Sequence, residues 1–150
     1  MIQKNKLFII IFVTCVFFII AYVFFTKETS APIPYEFLKD TLVRIQEPRP
    51  NQIIKSPMII KGEARGYWFF EGSFPVVLTD WDGKIIAEHY ATAHPPVGGD
   101  WMTEDFVPFE SKLIFEKPMY GKQGTLILKK DNPSGLPEND DALEIPVSFE

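Results

Sequence analysis

An uncharged apolar run near the N-terminus constrains this chain more than any other feature. Leu7 to Phe25 reads LFIIIFVTCVFFIIAYVFF, 19 residues without a charged side chain. As a helix with a rise of about 1.5 Å per residue, the run would be roughly 28 Å long, which matches the hydrocarbon core of a bilayer. A helix also satisfies its own backbone hydrogen bonds in lipid. The sequence therefore predicts a single transmembrane helix over residues 7–25.

The flanking charges predict the orientation of this helix. Lys4 and Lys6 precede the run, whereas Lys27 after it is offset by Glu28. The positive-inside rule then places residues 1–6 in the cytoplasm and the remainder of the chain outside the cytoplasmic membrane. A cleaved secretory signal peptide is the alternative, although its apolar region would be shorter, about 7–15 residues. Whether the anchor is cleaved stays open.

The residues beyond the apolar run predict an acidic domain that folds without disulfides. Residues 30–150 carry 12 basic and 19 acidic side chains, a net charge of −7. This negative charge argues against nucleic acid as a partner. Because the only cysteine, Cys15, lies within the apolar run, the outer domain must be stabilised by packing alone. Its length of roughly 110 residues is sufficient for a hydrophobic core.

Short apolar runs separated by turn residues predict an all-β domain at residues 42–150, after a stalk at residues 26–41. Phe74, Val76 and Leu78 would face one side of a strand. The segment from Asp80 to Gly83 then predicts a hairpin, because glycine accepts a positive φ. We predict seven or eight strands. They include Leu42–Gln46, Pro57–Ala64, Phe74–Thr79, Lys84–Ala91, Pro108–Phe115, Thr125–Lys129 and a last strand with Ile145, Val147 and Phe149.

Four motifs follow one another along this region. They are Ser-Pro before an apolar strand that ends in glycine, an aromatic-Glu-Gly-x-Phe segment, an Asp-x-x-Gly hairpin, and an Asn-Pro-Ser-Gly loop before an Ile-Pro-Val strand. Their residues are Ser56, Pro57 and Gly62; Phe70, Glu71, Gly72 and Phe74; Asp80 and Gly83; and Asn132, Pro133, Ser134 and Gly135 with Ile145 to Val147.

In this order the motifs resemble the bacterial spore-germination-associated immunoglobulin-like domain, over about Ile45 to Phe149. The resemblance implies an immunoglobulin-like β-sandwich on an extracytoplasmic protein. It also implies a role in adhesion or interaction within the cell envelope, which extends to germination in the proteins that gave the family its name. It brings no catalytic residues with it.

A run of aromatic residues before Glu71 is unusual for a small domain. On strand alternation, Trp68 and Phe70 share one side, and Tyr67 and Phe69 share the other. We predict that Trp68 and Phe70 fill the sandwich core, where a buried aromatic side chain contributes about 2–3 kcal/mol. We predict that the Glu71 carboxylate accepts hydrogen bonds from backbone N–H groups of a neighbouring loop, with ligand binding as the alternative.

Two segments are candidates for contact with a partner. Gly98, Gly99, Trp101 and Met102 form a glycine-rich loop with an apolar pair, and Trp81 stands at the tip of the predicted hairpin. Exposed tryptophans are enriched at interfaces. We favour packing of both tryptophans against the domain's own strands, with a partner contact as the alternative.

The sequence predicts no metal site, no cofactor and no catalytic set. His89 and His94 are the only histidines, and a zinc site would need further ligands that no cysteine outside the apolar run supplies. Asp80 and Asp82 match only the start of a calcium loop, because Lys84 stands at its fifth position.

We therefore predict a non-enzymatic module that is anchored in the cytoplasmic membrane and binds an envelope protein or a cell-wall glycan. One alternative is a structural spacer or assembly subunit that acts by strand addition. The other is a hydrolase or metal-dependent enzyme that uses the His, Asp and Glu groups.

Overall fold

The computed structural model describes residues 39–150, and strands are its main secondary structure. The predicted cytoplasmic segment at 1–6, the predicted transmembrane helix at 7–25 and most of the predicted stalk lie outside the described residues. Within residues 39–150, no helix is long and apolar enough to cross a membrane. The strands are β1 (Val43–Glu47), β2 (Ile53–Ile54), β3 (Met58–Arg65), β4 (Ser73–Asp80), β5 (Ile85–Ala93), β6 (Phe106–Leu113), β7 (Gln123–Lys129) and β8 (Ala142–Phe149).

The eight strands form one hydrogen-bonded sheet in the order β1-β3-β6-β5-β4-β7-β8-β2. Neighbouring strands are antiparallel, except that β2 runs parallel to β8. β5 pairs with β6 only through Thr92 and Ala93, whereas it pairs with β4 over most of its length. This short junction divides the sheet into two halves, β1-β3-β6 and β5-β4-β7-β8-β2.

Side chains of the two halves meet in one core, so the sheet closes on itself as a sandwich. The ring centroids of Phe74 on β4 and Phe109 on β6 are 4.9 Å apart, and those of Phe115 and Phe149 are 5.9 Å apart. Three strands separate β6 from β8 in the sheet order, so Phe115, just after β6, reaches Phe149 only across the two layers. The all-β class and the sandwich predicted from the sequence are confirmed.

Side chains along β4 alternate between the two faces of the strand, and the predicted face lies in the core. Phe74, Val76 and Leu78 are each fully buried, and Val77 and Thr79 on the other face are nearly so. The other predicted strands are also present, with bounds shifted by a residue or two. β2 was not predicted, because its two residues are too few to show a periodicity.

A 3₁₀ turn at Gly66–Trp68 interrupts this alternation between β3 and β4. Trp68 is fully buried and Phe69 is only 5% exposed, whereas Tyr67 is 50% and Phe70 42% exposed. The prediction that Phe70 fills the core with Trp68 is therefore wrong, and Phe69 takes that place. The cause is the turn itself, since a 3₁₀ helix has about three residues per turn and does not preserve the two-residue period of a strand.

Candidate functional site

The two tryptophans proposed as partner contacts lie at opposite ends of β4. Trp101 lies beside Gly72, which precedes β4, since a Cβ atom added to Gly72 would be 3.4 Å from Trp101 Cδ1. Trp81 directly follows β4, which has eight residues. At about 3.3 Å per residue the two side chains are roughly 26 Å apart along the strand. The structure therefore does not bring them together into one surface.

We name the two ends of the sandwich the Trp81 end and the Trp101 end. The Trp81 end contains the hairpin at residues 81–84 and the connections at residues 48–52, 55–57 and 114–122. The Trp101 end contains the connections at residues 66–72, 94–105 and 130–141. The described chain also begins at the Trp101 end, because Val43 pairs with Ala64 near the close of β3.

At the Trp101 end, the predicted glycine-rich loop directs its tryptophan inward. Gly98 has a φ of 81°, and Gly99 N–H donates to the Pro96 carbonyl at 2.8 Å, which closes a turn. Trp101 is partly buried and packs against the core, whereas Met102 is 68% exposed. Trp101 thus packs against the domain's own strands, which is the interpretation favoured above.

At the opposite end, a well-bonded hairpin presents Trp81. Asp80 Oδ1 accepts hydrogen bonds from the backbone N–H groups of Asp82 at 2.9 Å and Lys84 at 3.0 Å, and Gly83 has a φ of 78°. This is the hairpin predicted from the sequence. The Trp81 side chain is 61% exposed, so the expectation that it packs against the strands is wrong.

The Trp81 indole lies against Gly121 in the loop at residues 114–122. A Cβ atom added to Gly121 would lie 2.8 Å from Trp81 Cγ, and the φ of Gly121 is 77°. Both the close contact and the backbone conformation therefore require glycine. Part of the indole rests on this loop and the rest is open to solvent. Met119 and Tyr120, which precede Gly121, are 86% and 74% exposed and extend the apolar surface.

A shallow groove of about 250 Å³ begins at Trp81. Its lining comes from β4, β7, β8 and the segment before β2, which are neighbours in the sheet order. At about 4.8 Å between strands, the groove crosses roughly 14 Å of the sheet. Its polar lining residues are Asn51, Asp80, Gln123, Thr125 and Ser148.

Trp81 and Asp80 could be identified from the sequence, but the residues that complete this groove could not. In the sequence, Gly121 indicated only a turn. Asn51 and Gln123 are isolated amide residues that belong to no motif. Asn51 and Gln123 line the same groove as Trp81 only because of the order of the strands. Pairing of β4 with β7, and of β7 with β8, is the signal that would have placed them together.

A larger groove of about 690 Å³ follows β7 and β8 towards the Trp101 end. It shares Thr125 and Pro146 with the groove at Trp81. Asp140, Asp141 and Glu144 make this second groove acidic, with Lys129 as the cation in its lining. Asp141 also forms an ion pair with the buried Lys39.

Three of the motif residues, Asn132, Ser56 and Gly62, make contacts within the fold. Asn132 shapes the loop before β8, because its Nδ2 donates to the Leu136 carbonyl at 2.8 Å and to Asp140 Oδ1 at 2.7 Å. Ser56 Oγ accepts a hydrogen bond from Phe115 N–H at 3.0 Å. A Cβ atom added to Gly62 would lie 2.6 Å from Phe109 Cζ, so this position requires glycine.

Glu71 does not take its predicted role. The residue is exposed and has a φ of 50°. Across residues 39–150, its carboxylate accepts no hydrogen bond from a neighbouring loop. The backbone of this segment is instead tied locally, by hydrogen bonds between Phe70 and Ser73 in both directions.

The two histidines make hydrogen bonds within the sheet and at its edge. His89 Nδ1 lies 2.8 Å from the Tyr90 carbonyl oxygen and 3.0 Å from Ser111 Oγ, which links β5 to β6. His94 N–H donates to the Pro108 carbonyl at 2.7 Å. Within the part of the chain that the structure describes, no three His, Cys, Asp or Glu side chains are grouped to hold a metal ion.

Comparison with known proteins gives one match. The family model described as the immunoglobulin-like domain of bacterial spore germination matches residues 42–135. The match covers β1 to β7 and confirms the resemblance seen in the motifs over that range. It ends before β8, so the Ile145 to Val147 motif lies beyond it. No curated protein and no solved structure matches the chain.

Proposed function

The chain belongs to the family of immunoglobulin-like domains of bacterial spore germination, and on that premise we propose that it is a membrane-anchored binding module of the cell envelope. The family is not a known enzyme family, which is in accord with a non-enzymatic module. The apolar run at residues 7–25 supports an anchor in the cytoplasmic membrane, with residues 42–150 outside it. A germination role rests on the family description alone.

The exposure of Trp81 is the observation that carries this proposal. Complete burial of a large apolar side chain contributes about 1.5–3 kcal/mol, and most of the Trp81 side chain is still available for burial. Tryptophan is also enriched among the residues that dominate binding energy. Gly121 covers one part of the indole, and the rest is accessible to a partner. We therefore place the contact surface at the Trp81 end.

Binding of the full-length chain to isolated cell envelope tests the proposal. The chain is kept in a detergent without a sugar headgroup, mixed with cell-wall sacculi that retain their proteins, and pelleted. We expect the native chain to pellet and Trp81→Ala to bind at least about tenfold more weakly, equivalent to about 1.4 kcal/mol. Tyr67→Ala is the matched control, because Tyr67 is a half-exposed aromatic residue at the Trp101 end.

Two outcomes of this experiment would contradict the proposal. One is that the native chain stays in the supernatant. The other is that Trp81→Ala pellets as well as the native chain, since the surface would then lie elsewhere. An equal loss in Tyr67→Ala would show that the effect is not specific to the Trp81 end.

Strand addition is a second candidate, because one edge of β5 is open. Among the described strands, β5 pairs with β6 only at its last two residues, so the backbone of residues 85–89 has no strand partner on that side. This stretch contains no proline or lysine, the residues that commonly protect an edge. The Tyr90 carbonyl accepts a bond from Ser111 Oγ at 3.0 Å, which directs it away from β4. Glu88, two residues earlier, faces the same way.

Glu88→Pro separates the two candidates. Proline removes a backbone N–H that a bound strand would use. We expect Glu88→Pro to abolish capture of a partner by strand addition and to leave binding through Trp81 unchanged. If Glu88→Pro and the native chain capture envelope proteins equally, strand addition at β5 is wrong.

A further inference from the structure

The groove at Trp81 has the chemistry of a sugar site, and we propose that it binds a neutral pyranose ring within a polysaccharide chain. This inference rests on the proposed function and names the ligand class for its contact surface. A pyranose ring has C–H groups on its faces and hydroxyl groups around its rim. A site for it therefore needs an apolar plane beside groups that both donate and accept hydrogen bonds.

Trp81 supplies the apolar plane. The indole is a large flat surface with little conformational freedom. It lies against Gly121 on one side, and the residue is 61% exposed. A sugar ring stacked on this plane would bury the exposed part of the indole.

Side-chain amides and hydroxyls supply the polar partners. Asn51 and Gln123 each carry an amide that donates through its NH₂ group and accepts through its oxygen, as a sugar hydroxyl also does. Among residues 39–150, neither amide makes a hydrogen bond to the protein, so both remain available to a ligand. Thr125 and Ser148 add hydroxyl groups to the same lining.

The charge of the groove favours a neutral ligand. Among residues 39–150, no lysine, arginine or histidine lines it, and its one charged residue is Asp80. Oδ1 of that carboxylate already accepts two backbone N–H bonds. An anionic ligand would meet this carboxylate without a compensating cation, and such like-charge contacts oppose binding.

The continuation of the groove favours a polymer over a free monosaccharide. Thr125 and Pro146 line both the groove at Trp81 and the larger groove along β7 and β8. A chain of linked rings could pass from one into the other. In the second groove the carboxylates of Asp140, Asp141 and Glu144 outnumber Lys129, even though Asp141 is paired with Lys39, so this groove also disfavours an acidic polysaccharide.

Titration with defined oligosaccharides tests the inference. The full-length chain, in a polyoxyethylene detergent, is titrated by calorimetry with oligomers of N-acetylglucosamine, which are neutral, and with oligogalacturonate, which is anionic. We expect the neutral oligomer to bind and the anionic one to bind at least about tenfold more weakly. Trp81→Ala should weaken neutral binding by about tenfold or more, Gln123→Ala by about threefold to tenfold, and Tyr67→Ala should not change it.

Two further variants keep the test decisive if Trp81→Ala folds poorly. Trp81→Tyr retains a ring and should keep binding within about tenfold of native. Asp80→Asn retains the acceptor oxygen for the hairpin and should narrow the difference between the neutral and anionic oligomers. The inference is overturned if no oligosaccharide binds, if Trp81→Tyr and Trp81→Ala both bind as the native chain does, or if the anionic oligomer binds best.

Sacculi stripped of protein distinguish failure of this inference from failure of the proposed function. Pelleting with both protein-bearing and stripped sacculi supports the sugar site. Pelleting with protein-bearing sacculi alone, without oligosaccharide binding, overturns the sugar site but leaves the envelope module with a protein partner. Pelleting with neither preparation overturns both.

Discussion

Phe74 connects the two layers of the sandwich, and its replacement by leucine tests how much aromatic packing contributes to stability. The side chain is fully buried. Its ring meets Phe109 edge-on, with centroids 4.9 Å apart and planes at 80°. It also meets Phe69 at 5.2 Å and 55°. Phe74 thus joins β4 both to the opposite layer and to the segment that follows the 3₁₀ turn.

The expected loss follows from these two ring contacts. Leucine keeps an apolar side chain at the site but removes both aromatic pairs, each worth about 0.5–1.5 kcal/mol. We expect Phe74→Leu to lower the free energy of unfolding by about 1–3 kcal/mol, and Phe74→Ala by about 3–5 kcal/mol. Phe115→Leu is the matched control. Within the described part of the chain Phe115 makes one ring contact, with Phe149 at 5.9 Å, which predicts a loss of about 0.5–1.5 kcal/mol.

Urea unfolding of the full-length chain in micelles, followed by tryptophan fluorescence, measures these losses. A double-mutant cycle of Phe74→Leu with Phe109→Leu isolates one pair and should give a coupling free energy of about 0.5–1.5 kcal/mol. A coupling free energy near zero, or a greater loss in Phe115→Leu than in Phe74→Leu, would refute the reasoning.

Three other substitutions test separate features. Gly62→Ala should lower the free energy of unfolding by about 1–3 kcal/mol, because the new Cβ atom collides with Phe109 Cζ; an unchanged urea midpoint would contradict this. Phe106→Leu should lower the free energy of unfolding by about 1–2 kcal/mol, since two arginine guanidinium groups lie about 4 Å from the Phe106 ring. A loss no larger than that caused by leucine at an exposed position would argue against these contacts. Asn132→Ala should speed hydrogen exchange in the loop at residues 130–141 while leaving β4 protected; exchange as slow as in the native chain would show that other bonds hold the loop.

Features that depend on neighbouring residues could be predicted from the sequence. The spacing of Phe74, Val76 and Leu78 identified β4 and its buried face, and Asp80 and Gly83 identified the hairpin after it. The burial of Phe69 in place of Phe70 could not be predicted in this way. A single 3₁₀ turn changes which side chains face inward, and its aromatic sequence is equally compatible with a strand.

The candidate site was only partly predictable because it is assembled from distant segments. Trp81 was identified as a candidate, yet the glycine that it lies against, Gly121, is far away in the chain. Asn51 and Gln123 join it only because β7 lies between β4 and β8, and β8 pairs with β2. Local patterns contain no information on strand order, so these contacts had to come from the structure.

The parallel pairing of β2 with β8 also determines when the protein can fold. Ile53 pairs with Ser148 and Ile54 with Phe149, although they are separated by nearly the whole domain. Synthesis runs from β2 towards β8, so the edge of β7 stays unpaired and the core lacks Ile145, Val147 and Phe149 until β8 has been made. Contacts between such distant residues slow folding, and unpaired strand edges promote aggregation. Folding should therefore be a late, cooperative event, and the nascent domain should need protection from aggregation until its last strand is available.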